Sequence, residues 1–453
     1  MAPVQLTRLC GFAMSHPTGP RQLGVGVTLL SRAITSLTRP WALALLWLLV
    51  VIYAARFVMF KLPTPPAFTD FNHYYVASVA LRMGSNPYRS RYDALATSLG
   101  LNLSGLDLEN QPPTLLLLFE PLTRLGPHTA YWIWICISFV TLVIALCLLL
   151  RDTALNARQA LLFGALLFLY PPVYEHFYFA NFQIVISLLI VIAIFCMRRG
   201  ADRWGGLWLA LATALKAFPV MLAFYLLCRN RWRALSWMVM GGVIIGLFTL
   251  WDVGLVSLSF LSTFGFTTSR RFLEVPAYFS VSSVVSRLFW HGNVPLSPSI
   301  DTMRRIVIAV AELAVFVLTV SATAEVSFDR CWRAFSLWVT AMILLSPIAE
   351  PHYLVMLMVP FASVADAAAQ GEADSRAIYA AVASYLVAFS RYPLMLLHHE
   401  ALGSVAFFRI ANQFWFLAML LAYLAAYWLA TSRNGAQHDT DLVPAAAGVS
   451  DYS

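Results

Sequence analysis

Charge is what this chain has least of: Asp, Glu, Lys and Arg make up 11% of its 453 residues, against roughly 25% in soluble proteins. With 60% hydrophobic residues and a mean hydropathy of +0.73, an ordinary soluble globule is excluded. Lysine is scarcer still, with Lys61 and Lys216 set against 28 arginines. Six cysteines occur, Cys10, Cys136, Cys147, Cys196, Cys228 and Cys331, with no C-x-x-C and no pair within a long loop. That spacing indicates neither a disulfide framework nor a zinc site. No internal repeat is evident, which weakens a transporter built on inverted repeats.

What is present is a series of apolar runs from Trp41 almost to the C-terminus, the pattern of an all-α polytopic membrane protein. Spans are expected near 41–60, 129–150, 158–172, 182–197, 204–217, 219–228, 234–251, 305–326, 333–346, 352–369, 377–397 and 407–430, twelve in all. Several fall short of the ~20 residues that cross the hydrocarbon, so they should extend into their flanks or line a protein-enclosed cavity. The net charge of +8 is carried by arginines in short loops between apolar runs, a positive-inside pattern rather than a nucleic-acid surface. Arg151/Arg158, Arg198/Arg199/Arg203, Arg229/Arg231/Arg233 and Arg330/Arg333 lie at alternate turns, which places both termini in the cytoplasm. The stretch 204–228 reads as two helices meeting near Lys216 and Pro219; a single span there would flip everything after it. Residues 1–40 hold four arginines, no acid and no cleavage pattern, and read as a cytoplasmic tail. A single transmembrane domain is expected over 41–430, and a disordered polar tail over 431–453.

On this topology the long loops and the polar motifs share the outer face. In F-T-D-F-N-H-Y-Y, Asp70 follows a stiff proline-rich spacer and opens a stretch that reads as an amphipathic interfacial helix ending at Gly84. The bland reading is that Asp70 or Thr69 simply caps that helix. E-N-Q-P-P-T-L-L-L-L-F-E-P-L, from Glu109 to Leu122, reads as a second interfacial or re-entrant helix, or as a structural helix packed under the first. F-A-N-F-Q brings Asn181 and Gln183 to a helix start, to cap it or to hydrogen-bond a sugar. Lys216 in A-L-K-A-F-P is a cation among apolar residues, suited to an anionic phosphate or to snorkelling toward the interface. L-S-P-I-A-E-P-H-Y brings Glu350 and His352 to the outer end of adjacent spans.

These pieces, in this order, resemble glycosyltransferase family 87, which includes polyprenol-phosphate-mannose-dependent α-1,2-mannosyltransferases. The likeness covers roughly residues 41–430, and the first loop is its most specific part. It implies a GT-C-type fold, a first-loop catalytic base falling on Asp70, the family's lysine at Lys216 and its histidine at His352. The chain departs from the family's pattern at Gln111-Pro112-Pro113, at Ala180-Asn181-Phe182-Gln183, where two amides are exchanged, and near Glu350, where an aromatic is replaced.

The expected activity is transfer of a hexose, with mannose foremost, from a polyprenyl phosphate to a hydroxyl of a glycolipid or glycan. It would take place on the extracytoplasmic face of the cell membrane and invert the anomeric centre. Asp70 would take the hydroxyl proton, Lys216 and His352 would hold the donor phosphate, and Tyr74, His73, Asn181 and Gln183 would touch sugars. The lipid-linked sugar is a substrate, so no cofactor is required. No D-x-D assigns a residue to a metal, and a divalent metal stays open. The competing readings are a transporter or flippase of lipid-linked sugars and an inactive membrane scaffold.

Overall fold

A computed structural model describes residues 32–61, 69–89, 92–101, 111–261, 273, 278–289, 296–326, 331–401 and 405–432, without the side chains of 60–61, 325, 390–401 and 405–412. Most of both tails, the 62–68 spacer and Glu109 with Asn110 lie outside these residues.

The described residues form helices and connecting turns, with no strand among them. Six helices are long and apolar enough to cross a membrane: Pro40–Met59, Pro127–Arg151, Trp232–Phe260, Pro298–Ala324, Pro351–Ala369 and Gln413–Thr431. The pair Ala157–Leu169 and Pro171–Phe179, bent by 51°, makes a seventh if it counts as one span. The other expected spans are also helical, but Gln183–Arg198, Phe218–Cys228 and Cys331–Leu344 are 10–17 residues long, as is Ser375–Phe389, the part of the helix Ser375–Ala401 whose side chains are described. The fold is therefore that of a polytopic membrane protein, with six or seven crossings among the described residues that are full-length by length and composition. Two of the segments lie wholly inside the bundle. Every residue of Cys331–Leu344 is buried, as is every residue of the 3₁₀ segment Pro351–Leu357. A helix apolar on all sides is one enclosed by protein.

Lipid-facing surface is provided by α1 (Pro40–Lys61) and by the helix Trp232–Val253, whose Trp41, Val51, Leu247 and Trp251 are all exposed. The inner side of Trp232–Val253 packs on the helix Asp202–Leu215, and glycine permits the close approach. A Cβ on Gly206 would overlap the Ala234 carbonyl oxygen and come within 2.9 Å of the Met238 nitrogen.

The first-loop helix α2 (Asp70–Arg82) departs from expectation. Phe71, Asn72 and every residue from Tyr74 to Ala80 are buried, so the helix is embedded in protein rather than lying half-exposed at the interface. Phe71 packs edge-on against Phe119 and Tyr131, Tyr75 donates to the Leu125 carbonyl at 2.6 Å, and Ser78 donates to the Leu116 carbonyl at 3.0 Å. Its partner is the segment that follows Gln111: the helix Pro113–Phe119 runs into a 3₁₀ turn, Glu120–Arg124, beneath it. The segment thus packs against α2, as its structural reading expected. The C-terminus of α2 does match expectation. Gly84 takes a φ of +75°, Gly84 N–H donates to Leu81 and Ser85 N–H to Ala80, a Schellman closure that only a left-handed residue completes.

Candidate active site

Thr69 occupies the N-cap position of α2, but no side chain caps this helix, and Asp70 is its first residue. The Asp70 carboxylate instead accepts a hydrogen bond from Asn181 Nδ2, across 111 residues of sequence. Local capping therefore does not explain the acid.

Asn181 is fixed by its own turn. The helix Pro171–Phe179 ends on Ala180, which adopts a left-handed φ of 50°, and Trp134 Nε1 donates to the Ala180 carbonyl at 2.9 Å. The Asn181 Oδ1 then accepts from the Gln183 backbone N–H at 2.9 Å, closing an Asx turn that starts the helix Gln183–Arg198. One side-chain atom thus orients the residue, and the other is delivered to Asp70. Both amides are buried, and Gln183 Nε2 donates to Met356 Sδ at 3.1 Å.

Lys216 ends the helix Asp202–Leu215 in extended backbone, just before the 3₁₀ turn Phe218–Met221 that holds Pro219. The two-helix reading of 204–228 matches this break. Lys216 Nζ lies 3.5 Å from Gln183 Oε1 and 4.2 Å from the centre of the Tyr353 ring, a cation–π contact. Its residue is 7% exposed, so the ammonium does not snorkel away.

The 345–353 motif closes the site. Ser346 Oγ donates to the Ile348 carbonyl at 2.7 Å, Phe279 N–H donates to the Ala349 carbonyl at 2.9 Å, and Ser280 Oγ donates to the Pro347 carbonyl at 3.1 Å. This bracing aims Glu350 and His352 at Asp70, and one ligand-type atom from each of the three lies within 4.8 Å of the others. His352 Nε2 stands 3.1 Å from Glu350 Oε2, close enough for an ion pair but off the line of a ring N–H hydrogen bond. The His352 side chain is 3% exposed, whereas that of Glu350 keeps 27%, so the histidine lies buried behind the Glu350 carboxylate.

The electrostatics divide the two acids. Burial first, and then the Glu350 carboxylate, hold the Asp70 carboxyl above its ordinary range, against the opposing pull of His352, Asn181 and Lys216. Burial also pushes Glu350 upward, but His352 and Lys216 outweigh it and hold this carboxyl below its ordinary range.

Of the expected site residues, Asp70, Asn181, Gln183, Lys216 and His352 are linked through these contacts. Tyr74 and His73 lie one turn beyond Asp70 on α2, Tyr74 buried against Phe119 and Phe182, and His73 half-buried. Sequence reasoning left three participants without a role. Tyr353 was legible as the aromatic beside His352. Glu350 was legible as an acid between two prolines. His176, fully buried with both ring nitrogens lacking a hydrogen-bond partner, had no local signal.

A bundle of apolar helices with a buried lysine, two carboxylates and a histidine gathered at one place is a membrane protein with a cluster of ionisable groups inside it. Residues 111–347, just over half of the chain, match the model of glycosyltransferase family 87, and the chain belongs to that family. It is thereby a glycosyltransferase. The matched stretch holds Asn181, Gln183 and Lys216, while Asp70, Glu350 and His352 lie outside it. No curated protein and no solved structure matches the chain.

Proposed function

We propose that the protein transfers a hexose, mannose foremost, from a polyprenyl phosphate to a hydroxyl of a glycolipid or glycan at the extracytoplasmic face of the cell membrane, within a GT-C-type fold. One observation carries this reading: Asp70 accepts from Asn181 and clusters with Glu350 and His352, while Lys216 reaches Gln183 beside Asn181, so four distant segments meet at one place.

Asp70 accepts the acceptor hydroxyl's proton as its oxygen attacks the anomeric carbon. The bond from that carbon to the phosphate oxygen breaks on the opposite side, and its electron pair leaves with the phosphate, which gains one negative charge. Single displacement inverts the configuration. Lys216 faces that growing charge as a cation and His352 as a ring N–H donor, where positioned charges and donors contribute most. Asn181 orients the base, and Tyr74, His73 and Gln183 border the sugars. General-base assistance of this kind is worth about 10²–10⁴ in rate.

The test is incubation of the purified protein with labelled polyprenyl-phosphate-mannose and a glycolipid acceptor. Labelled product is expected from the wild type, at a rate that falls by about 10²–10⁴-fold in a folded Asp70→Asn variant. Full activity in that variant removes Asp70 from its role, and sugar-lipid translocation in vesicles without a new glycosidic bond replaces the enzyme with a transporter.

A further inference from the structure

The geometry points to a divalent-cation site formed by Asp70, Glu350 and His352, with two carboxylate oxygens and one imidazole nitrogen as ligands.

The first ground is spacing. Metal–ligand bonds of about 2.1 Å place neighbouring ligands of an octahedron ~3.0 Å apart and opposite ligands ~4.2 Å apart. His352 Nε2 and Glu350 Oε2, 3.1 Å apart, already stand at the neighbouring separation. The whole set of three lies within 4.8 Å, so a rotamer adjustment of roughly half an ångström closes it.

A second and independent ground is His352 itself. It is 2% exposed, and neither ring nitrogen has a hydrogen-bond partner. Buried polar atoms without partners are rare, and each points to something that belongs there. A cation beside Nε2 would give the buried imidazole the in-line partner that the 3.1 Å contact to the Glu350 carboxylate does not. The surrounding segment is stiff: Ser280 and Phe279 hold the Pro347 and Ala349 carbonyls, so Glu350 and His352 are presented as a fixed pair.

The third ground is charge, and it rests on the glycosyl-transfer reading. With Asp70 and Glu350 ionised, Lys216 offsets one of two negative charges, and a phosphodiester donor adds another. The resulting excess of two negative charges matches one divalent cation. The mixed oxygen and nitrogen set suits Mn²⁺ or Zn²⁺ better than Mg²⁺ or Ca²⁺. Bound there, the cation would lie beside the partly exposed Glu350 carboxylate and would supply Lewis-acid charge next to the proposed base.

The experiment uses full-length protein in detergent, stripped by a chelator and titrated with Mn²⁺ while free Mn²⁺ is followed by electron paramagnetic resonance. Binding of one Mn²⁺ per chain is expected, displaced by Zn²⁺, with spin-echo modulation from a single imidazole nitrogen. Glu350→Gln and His352→Ala should each weaken binding by at least ~10-fold, the size seen even for outer partners of a metal, and the second should abolish the nitrogen modulation. The inference is overturned if folded wild type shows no saturable binding, if the modulation is absent, or if both variants bind as wild type does. Should a variant fail to fold, the wild-type stoichiometry and nitrogen signal decide alone. The two readings separate cleanly. Transfer that depends on Asp70 without any bound metal ends this inference and leaves the enzyme standing, whereas metal binding without transfer does the reverse.

Discussion

Replacing Asn181 by alanine removes the hydrogen bond that joins Asp70 of the first loop to the helix bundle. The Asn181 Nδ2 hydrogen bond to Asp70 is made to a carboxylate, and hydrogen bonds to charged groups are worth about 1.5–3 kcal/mol. At ~1.36 kcal/mol per tenfold change, losing it should slow transfer by roughly 10- to 150-fold. The substitution also opens the Asx turn to Gln183, so folding is monitored by thermal melting in detergent, and Asn181→Asp serves as the second variant. Aspartate keeps the acceptor for the Gln183 N–H and replaces the donor to Asp70 with a like charge, so transfer should fall at least as far as in the alanine variant. The decisive assay is a double-mutant cycle with Asp70→Asn, read as initial rates with a labelled lipid-phosphate donor. If Asn181 acts by holding the base, its removal has little further effect once the base is gone, and the coupling accounts for most of the single-variant loss. Wild-type rates for folded Asn181→Ala, or full additivity with Asp70→Asn, would refute the reasoning.

Other outcomes follow from the same geometry. Lys216→Met should lower kcat/KM for the donor by roughly 10- to 100-fold, from the loss of one charge-assisted contact to phosphate, while melting stays near wild type; an unchanged value would place the phosphate elsewhere. Gly206→Ala should destabilise the protein by about 1–3 kcal/mol through overpacking, because its Cβ meets the Ala234 backbone, while Gly242→Ala, with nothing within 4 Å, should be neutral by melting. Burial lowers the His73 pKa to about 4 from 6.5, so the unfolded chain binds its proton first as pH falls. The corresponding stability is fully present above pH 6.5, declines between 6.5 and 4, and amounts to at most about 3 kcal/mol at 1.36 kcal/mol per pKa unit. Melting scans of wild type against His73→Gln check it; the variant should lose less stability across that window.

The sequence by itself determined the class of molecule and the places where its helices break. Apolar runs of helical length fix membrane residence. Gly84 and the Lys216–Pro219 segment ended helices as expected, because left-handed backbone and proline's missing N–H are local constraints. What only the tertiary structure decided is which groups meet. The hydropathy of α2 could not tell a helix resting on lipid from one wrapped in aromatic side chains, since both surroundings are apolar. The short apolar runs at 182–197, 219–228 and 333–346 are short helices as expected, but that Cys331–Leu344 is wholly enclosed by protein was not legible in its composition. Asp70 looked like a plausible cap until the Asn181 amide was found against it, and Glu350 read as a departure from a motif until its carboxylate stood beside Asp70 and His352. Polar partners more than a hundred residues apart in the chain leave no periodic trace, because their pairing is set by how rigid helices pack and by the need to satisfy every buried polar group.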